Sequence, residues 1–427
     1  WKTPLYINQT LKIIEEKLKY LYSLRRLGIK VGLEHTFELL SVCHNPHKRL
    51  RVIHIAGTNG KGSTSSMVAS ILETAGYKVG LYTSPHLIKF NERISVNGVH
   101  IPDEFIAKFI EKNKKHIQRI SSTFFETTTV MAFEYFVKQK VDIAIIEVGL
   151  GGRLDSTNVV DPLVTAITPI SLDHQHILGS TLSEIAKEKA GIIKKGVPVV
   201  MAKQKIDAKK SIIGAAKKMN AEIIETGKIK NLKYSQSGTE FSFMSEVFLT
   251  PLFGRHQSEN AATAIQIVRQ FDKKIENETI QKGLSQTVWL GRMQKLSNKL
   301  PIYYDVAHNI DGVKAAISAA IVTQNQKPHI LISFKGDKEI DLIANEISKN
   351  NSSLIISGSK NLELMSANEL YSAFKKNVNR AEFNKIDTLD VALSELINRV
   401  KKTNKTGLIM GSHYMAKPIF DKFGILM

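Results

Sequence analysis

A single cysteine, Cys43, is all that 427 residues carry. That excludes a disulfide framework and a zinc site built from several thiolates, and it fits a reducing compartment, so a cytoplasmic protein is expected. Long apolar runs are missing too. Nothing approaches the ~18 uninterrupted apolar residues of a membrane span, and the opening WKTPLYINQTLKIIEEKL reads as a mixed-charge helix without the apolar core of a signal peptide. Acidic residues are short: 40 Asp plus Glu stand against 59 Lys plus Arg, a net charge of +19. Such an excess suits nucleic acid, a membrane surface or anionic small molecules. The basic residues, however, are scattered in pairs such as Lys114-Lys115, Lys209-Lys210, Lys217-Lys218 and Lys273-Lys274. No arginine-rich arm or aromatic stripe concentrates them, so most of this charge reads as solvated surface, with some field left to attract polyanionic substrates. Repeats and low-complexity tracts are absent. With 43% apolar and 23% charged residues the composition is that of a soluble globular protein, long enough for two or three domains.

What is present concentrates in RVIHIAGTNGKGST, residues 51–64. An apolar strand (Val52, Ile53, Ile55) enters a glycine-rich turn with one lysine, and a helix follows, with Met67, Val68, Ile71, Leu72 and Ala75 at helical spacing and Gly76 to cap it. Such a turn lays backbone N–H groups around a phosphate at a helix N-terminus, and Lys61 adds a point charge. Thr58, Asn59, Gly60, Lys61, Gly62 and Ser63 are therefore the expected ATP phosphate site. The spelling departs from the common Walker A pattern: Ile55 stands where the first glycine should be, and Gly62 where Ser or Thr follows the lysine.

Apolar runs alternate with amphipathic stretches along the chain. Strands are expected at 51–56, 79–82, 141–148, 163–168, 197–201 and 222–225, several apolar throughout, as in parallel strands covered on both faces. Residues 229–252 alternate and predict a small antiparallel sheet. A second series runs through PIYYDVAHN, HILISF, SSLIISG and TGLIMGS. The expected division is an N-terminal unit 1–286, a linker 287–300 and a C-terminal unit 301–427.

Four further clusters carry chemistry. In IIEVGLGGRLDSTNVV, 145–160, a buried strand ends in Glu147, well placed for Mg²⁺ beside a phosphate loop. The segment 167–193 offers Asp173, His174 and His176 past another strand, then a helix with Lys187, Glu188 and Lys189; its residues alone read equally as site or as structure. Asn260, early in the helix of GRHQSENAATAI, could equally belong to an ordinary capped helix. In YYDVAHNIDGV, Asp305, His308 and Asn309 follow a buried strand.

In this order, AGTNGKGS, YTSPHL with NERISVNG, FETTTVMAFEYF, EVGLGGRLDSTN, LDHQHILGSTLSEIAKEKAGI, GRHQSENAATA, LGRMQ, DVAHN and GSHYMAK resemble the folylpolyglutamate synthases and dihydrofolate synthases of the Mur ligase superfamily. The resemblance implies an α/β protein: a three-layer P-loop ATPase domain with a small antiparallel β element, followed by a Rossmann-like α/β C-terminal domain, with the site in the cleft between them. It implies that ATP phosphorylates a folate or dihydropteroate carboxylate and that L-glutamate displaces the phosphate to leave an amide. It carries over Ser84, Glu147, His174 and a carbamylated Lys189 as ligands of two Mg²⁺ ions, with Lys61, His174 and Lys189 catalytic. Asn260, Arg292 and Asp305 join the phosphate loop on ATP. Phe125, Glu126, Thr127, Leu154, Asp155 and Ser156 line the pterin site, and Arg93, His308 and Ser412 face glutamate.

Departures touch the glutamate side: DVAHNID stands where DGAHNP is usual, SFKGDKE replaces a GAMKDKD-like spelling, and GSHYMAK varies the last motif. Two other readings compete. A cell-wall Mur ligase usually has Thr or Ser at the position of Gly62 and needs a recognition domain before the ATPase, for which about 50 residues leave no room. A basic nucleic-acid-dependent NTPase needs a concentrated basic face and gives Lys189 no role. Neither nucleic acid nor membrane is an expected partner, and a monomer is the expectation.

Overall fold

Strands that are apolar on both faces need helices on both sides, and the chain supplies them. The structure is a computed structural model and describes residues 4–28, 32–235, 237–336, 338–377 and 383–425. Eight strands form the first sheet: β1 (Val52–Ala56), β2 (Val79–Tyr82), β3 (Ile94–Val96), β4 (Val99–His100), β5 (Ile143–Glu147), β6 (Val164–Ile167), β7 (Val199–Met201) and β8 (Ile223–Glu225). Their order is β4-β3-β2-β5-β1-β6-β7-β8. All pairings among β2, β5, β1, β6, β7 and β8 are parallel, and the six expected strands are these six. The antiparallel β3–β4 hairpin is an addition to the sequence reading. It turns on Asn97-Gly98, both at positive φ, the pair that a tight hairpin turn favours.

One face of this sheet is covered by the helices Lys61–Thr74, Arg255–Phe271 and Asn277–Ser285, through Met67, Val68, Ile71, Ala261, Ile265 and Leu284. The other carries Asp103–Ile120 and Phe124–Gln139, with Ile106, Ile110, Val130 and Phe133 inside. A three-stranded antiparallel sheet, β9 (Lys230–Ser235), β10 (Gly238–Phe243) and β11 (Glu246–Thr250), adds Phe241, Phe243 and Phe248 to the first core. It matches the alternation at 229–252.

The second large sheet contains β12 (Gln294–Lys295), β13 (Ile302–Asp305), β14 (His329–Ile332), β15 (Ser353–Ile356), β16 (Phe383–Lys385) and β17 (Gly407–Met410), in the order β12-β13-β17-β14-β15-β16. It is parallel except at β12. The segment 287–300 is thus more than a connection. Gln294 and Lys295 pair with Tyr304 and Tyr303, because the chain must reverse before β13 and its backbone groups find partners on that open edge.

This topology gathers the chemistry at strand ends. Strand β1 lies between β5 and β6, with Ile55 opposite Glu147 and Ala56 opposite Ile167. The residues after β1, β2, β5 and β6 therefore share one edge, at the point where the strand order reverses and ligands of open α/β sheets bind. In the second sheet Asp305 sits opposite Met410, so the segments after β13 and β17 emerge together.

At the centre of β1 lies His54, fully buried, its Nε2 2.9 Å from the Thr157 hydroxyl and its Nδ1 without a partner among the described residues. Burial, assisted by Lys194, pulls its pKa down to about 3. An unfolded histidine titrates near 6.5, so neutral His54 contributes its full stabilisation above that pH and loses it as pH falls towards 3. Urea unfolding at pH 7 and pH 4.5 should therefore show a loss of about 2–3 kcal/mol beyond that of a His54→Gln variant. Parallel pH profiles for the two proteins would refute this.

Candidate active site

Strand β1 ends at Ala56 and the next four residues form the loop. Gly57 and Gly60 both have positive φ, and at each an added Cβ would strike a neighbour, the Thr168 hydroxyl or the Asn260 carboxamide. The N–H groups of Thr58 and Asn59 both donate to the carbonyl of Pro169, at 3.1 Å each, which ties the loop to the end of β6. The Thr64 N–H closes the first helical turn on Gly60. The donors left for a ligand are the N–H groups of Lys61, Gly62 and Ser63 at the helix start. The buried Ser63 hydroxyl has no partner among the described residues. Lys61 Nζ folds back to within 3.4 Å of the Thr58 carbonyl. Gly62 has a packing reason: a Cβ there would stand 2.7 Å from a ring carbon of Trp289.

Around this loop lie the expected metal ligands. Glu147 is buried and accepts the Ser84 N–H at 3.1 Å. Burial raises its pKa, against the pull of Lys61, Arg292 and Arg93. Lys189 is 4% exposed, and among the described residues no hydrogen bond or ion pair engages its ammonium. Burial, then the charge of Lys61, lower its pKa to about 7, with Asp173 and Asp155 acting the other way. Its helix is held close by the turn 149–152: Gly152 abuts the backbone of Glu188 and Lys189, and Arg153 N–H donates to the Glu188 carbonyl at 2.8 Å. His174 stands at positive φ beside Asp173. A buried carboxylate with one backbone donor, a buried amine and the imidazole of His174 are donor types that fit a hard cation such as Mg²⁺ once the amine becomes an oxygen anion.

The second sheet closes on the same region. His308 Nε2 is 3.5 Å and Lys338 Nζ 3.2 Å from the carboxylate of Asp173. Burial would raise the Asp173 pKa, but His308, His174 and Lys338 overcome it and hold the group well below the usual carboxylate range. The other His308 nitrogen faces the Val306 carbonyl at 2.9 Å. Asp305 is buried and its two oxygens accept the Met293 and Ala307 N–H groups, both at 2.9 Å, so it fixes the connection onto β13 beside Arg292. Ser412 caps a short turn by accepting the Tyr414 N–H. Next to it, burial and then His308, Arg93, Arg292 and Lys335 push the His413 pKa down to about 3. That cluster of cations suits an anion with two carboxylates.

A cavity of about 360 Å³ opens beside Glu147. Ser84, Arg93, Phe125, Glu126, Leu154, Asp155 and Ser156 all line it. Thr127 does not; it is buried in the helix, its hydroxyl donating to Ser122. Asp155 is held by the Leu150 and Thr157 N–H groups and by the Thr157 hydroxyl, although burial still raises its pKa. Arg93 donates to His86 at 2.7 Å and lies over the Phe124 ring.

Two family models match: the Mur ligase middle domain over residues 55–268, and the Mur ligase, glutamate ligase domain over 291–413. A dihydrofolate synthase/folylpolyglutamate synthase of Bacillus subtilis (strain 168) is 40% identical over 319 residues, 70% of this chain and 74% of that protein. A Mycobacterium tuberculosis folylpolyglutamate synthase solved with ADP and AMPPCP superposes with a TM-score of 0.88 at 26% identity, covering 96% of this chain and 99% of that one. Escherichia coli FolC, solved with DHPP and ADP, gives 0.82 at 27% identity over 95% and 97% of the two chains. The chain belongs to the folylpolyglutamate synthase/dihydrofolate synthase family.

Several residues at this site escaped the sequence reading. Lys338 lies in SFKGDKE, whose Asp337 is outside the described residues. His86 and His413 carry no motif signal beyond their neighbours Ser84 and Ser412. Asp173 and Asn309 were visible as polar groups past strands, but only the fold brings them together. Trp289, in the connection, gave no sign that it faces the phosphate-loop helix. Gly62→Ala should therefore cost about 1–3 kcal/mol of stability in urea unfolding, because the indole must move. Adding Trp289→Leu should recover part of that loss, and independent effects would refute the contact as its cause.

Proposed function

We propose that this ATP-dependent ligase joins L-glutamate to a folate-type acid through an acyl phosphate. One observation carries the reading. Ser84 lines the acceptor cavity and donates its N–H to Glu147, whose carboxylate feels the charge of the phosphate-loop Lys61. An acceptor carboxylate in that cavity and a terminal phosphate on the loop would meet at Glu147. The reading treats 1–286 as the ATPase unit, 287–300 as the connection and 301–427 as the glutamate ligase unit.

In the first step an oxygen of the acceptor carboxylate attacks the γ-phosphorus and ADP leaves with the bridging oxygen's electrons. In the second the amine of glutamate attacks the acyl carbon, inorganic phosphate leaves, and the nitrogen loses a proton. Both steps bring anions together, so the residues serve chiefly to neutralise and align. Lys61 and the amides of Gly62 and Ser63 would hold the phosphates, with Asn260, Arg292 and Asp305 around the rest of the nucleotide. Phe125, Leu154, Asp155 and Ser156 would seat the pterin, with Glu126 at the cavity wall. Arg93, His308 and Ser412 would receive glutamate within the cationic cluster at His413. Ser84, Glu147, His174 and a carbamylated Lys189 would hold Mg²⁺, which supplies positive charge against the phosphates. The position of Lys189 supports the modification: a buried amine titrating near neutrality is available to react with CO₂, and the product replaces a buried cation by an oxygen anion.

Steady-state assays with ATP, Mg²⁺ and glutamate, supplying dihydropteroate and tetrahydrofolate in turn, test the reaction and assign the acceptor; release of ADP without an amide product from either would overturn it. Lys61→Ala should lower turnover by about 100-fold or more at unchanged melting temperature, as expected for loss of a charge on a transferring phosphoryl group. A rate within twofold of the parent would remove Lys61 from the chemistry. Lys189→Ala should lose at least about tenfold more activity than Lys187→Ala, whose side chain lies outside the cluster, with partial rescue by a short carboxylic acid. Equal tolerance of the two substitutions would remove the carbamate.

A further inference from the structure

Asn59 belongs to the phosphate loop, yet its N–H and its carboxamide are engaged by residues far along the chain. Its N–H is committed to Pro169. Its Nδ2 donates to the Ser171 hydroxyl at 3.1 Å and to Asn309 Oδ1 at 3.2 Å, while its Oδ1 accepts from Asn309 Nδ2 at 2.9 Å. Two carboxamides thus face each other, each donor on the other's acceptor, one at the end of β1 and the other past β13. The geometry points to Asn59 as a positioning residue that couples the phosphate loop to the C-terminal half through Asn309.

The surroundings extend the coupling. Asn309 Oδ1 also accepts the Gly312 N–H at 2.9 Å, capping the helix Ile310–Gln324, and its Nδ2 lies 3.4 Å from Asp173 Oδ2. Asp173 is the carboxylate on which His308 and Lys338 converge. A displacement of the loop at Asn59 is therefore transmitted to Asn309, to its helix cap and to the neighbouring His308. Amides suit the position better than carboxylates. An Asp at either place loses a donor and adds negative charge beside Asp173, in a site that must already receive a triphosphate.

This rests on the ligase reading, in which the loop holds phosphate and the His308 segment receives glutamate. Among the described residues the acceptor cavity is lined by the first unit alone, between Gly28 and Glu188. Breaking the amide pair should therefore slow turnover, which needs both halves aligned, and leave the acceptor's KM alone. The experiment is a double-mutant cycle in the full chain with Asn59→Ala and Asn309→Ser, the latter keeping a side-chain oxygen to cap its helix without adding charge beside Asp173. Each single variant should lose about tenfold in kcat, with acceptor KM within twofold, and the double variant should be no slower than the worse single one. If Asn59→Ala fails to fold by circular dichroism, Asn59→Ser takes its place in the cycle. Multiplying losses, or an acceptor KM that rises as kcat falls, would overturn the coupling while leaving the ligase reading intact. A parent chain with no ligase activity would overturn both.

Discussion

A carboxylate and a triphosphate repel each other, and the architecture around Lys61 answers that constraint. The lysine sits at a helix N-terminus, where the free N–H groups and the helix dipole already favour anions. Glu147 and Lys189 both feel its charge: it opposes the upward push that burial gives the carboxylate's pKa and reinforces the downward push on the amine's. The site therefore balances two buried tendencies. Burial disfavours the charged form of both, raising the pKa of Glu147 and lowering that of Lys189. For the carboxylate the surrounding cations oppose that drift; for the lysine the cation beside it reinforces it. The one lysine thus acts on both buried groups, against the effect of burial on the acid and with it on the amine.

The supporting elements explain how such groups stay in place. Asp173 shows it best: a buried carboxylate is costly unless its oxygens are met, and here His308, Lys338, Asn309 and its neighbour His174 meet them from both sheets. Asp305 follows the same rule with backbone partners only, since both oxygens accept N–H groups and pin residues 291–293 beside β13. The nearby N–H of Val306 donates back to the Gly291 carbonyl, so Arg292 projects from a backbone fixed on both sides. The placement of Arg292 thus depends on an aspartate whose two oxygens are already engaged by the backbone.

Much of this was legible in the sequence because it was written in short-range patterns. The strand at 51–56 and the helix after it follow from apolar spacing, and the eight-residue span from Gly149 to Ser156 announces a turn against something close. Glu147, Ser84 and Asp155 share a motif-rich edge because strand ends at one side of a parallel sheet lie together whatever their distance in the chain, and Phe125 joins them from the start of the helix Phe124–Gln139, its ring against Gly149. What escaped was set by contacts that no local pattern encodes. Thr127 falls in the same motif as Phe125 and Glu126, but one more residue along a helix turns its side chain by about 100°, away from the cavity and onto Ser122. The β12 edge strand and the Trp289 contact depend on where the second sheet docks. The Asn59–Asn309 pair joins residues 250 positions apart.

Gly62 shows how a departure from a motif can be a consequence of architecture. A phosphate loop with Ser or Thr after its lysine carries a hydroxyl there, and this chain carries no side chain at all. The indole of Trp289 takes up that space, and the carbonyl of Val288 in the same connection accepts a hydrogen bond from the Ser66 hydroxyl one turn further along. The helix that presents the phosphate site is therefore packed directly against the segment that leads to Arg292 and β13. The buried hydroxyls of Ser63, the next residue along, and of Thr64 and Ser65 after it have no partner among the described residues. The loop's chemistry and the docking of the two sheets are consequently set by the same few residues, so that neither the phosphate site nor the interface can change without the other.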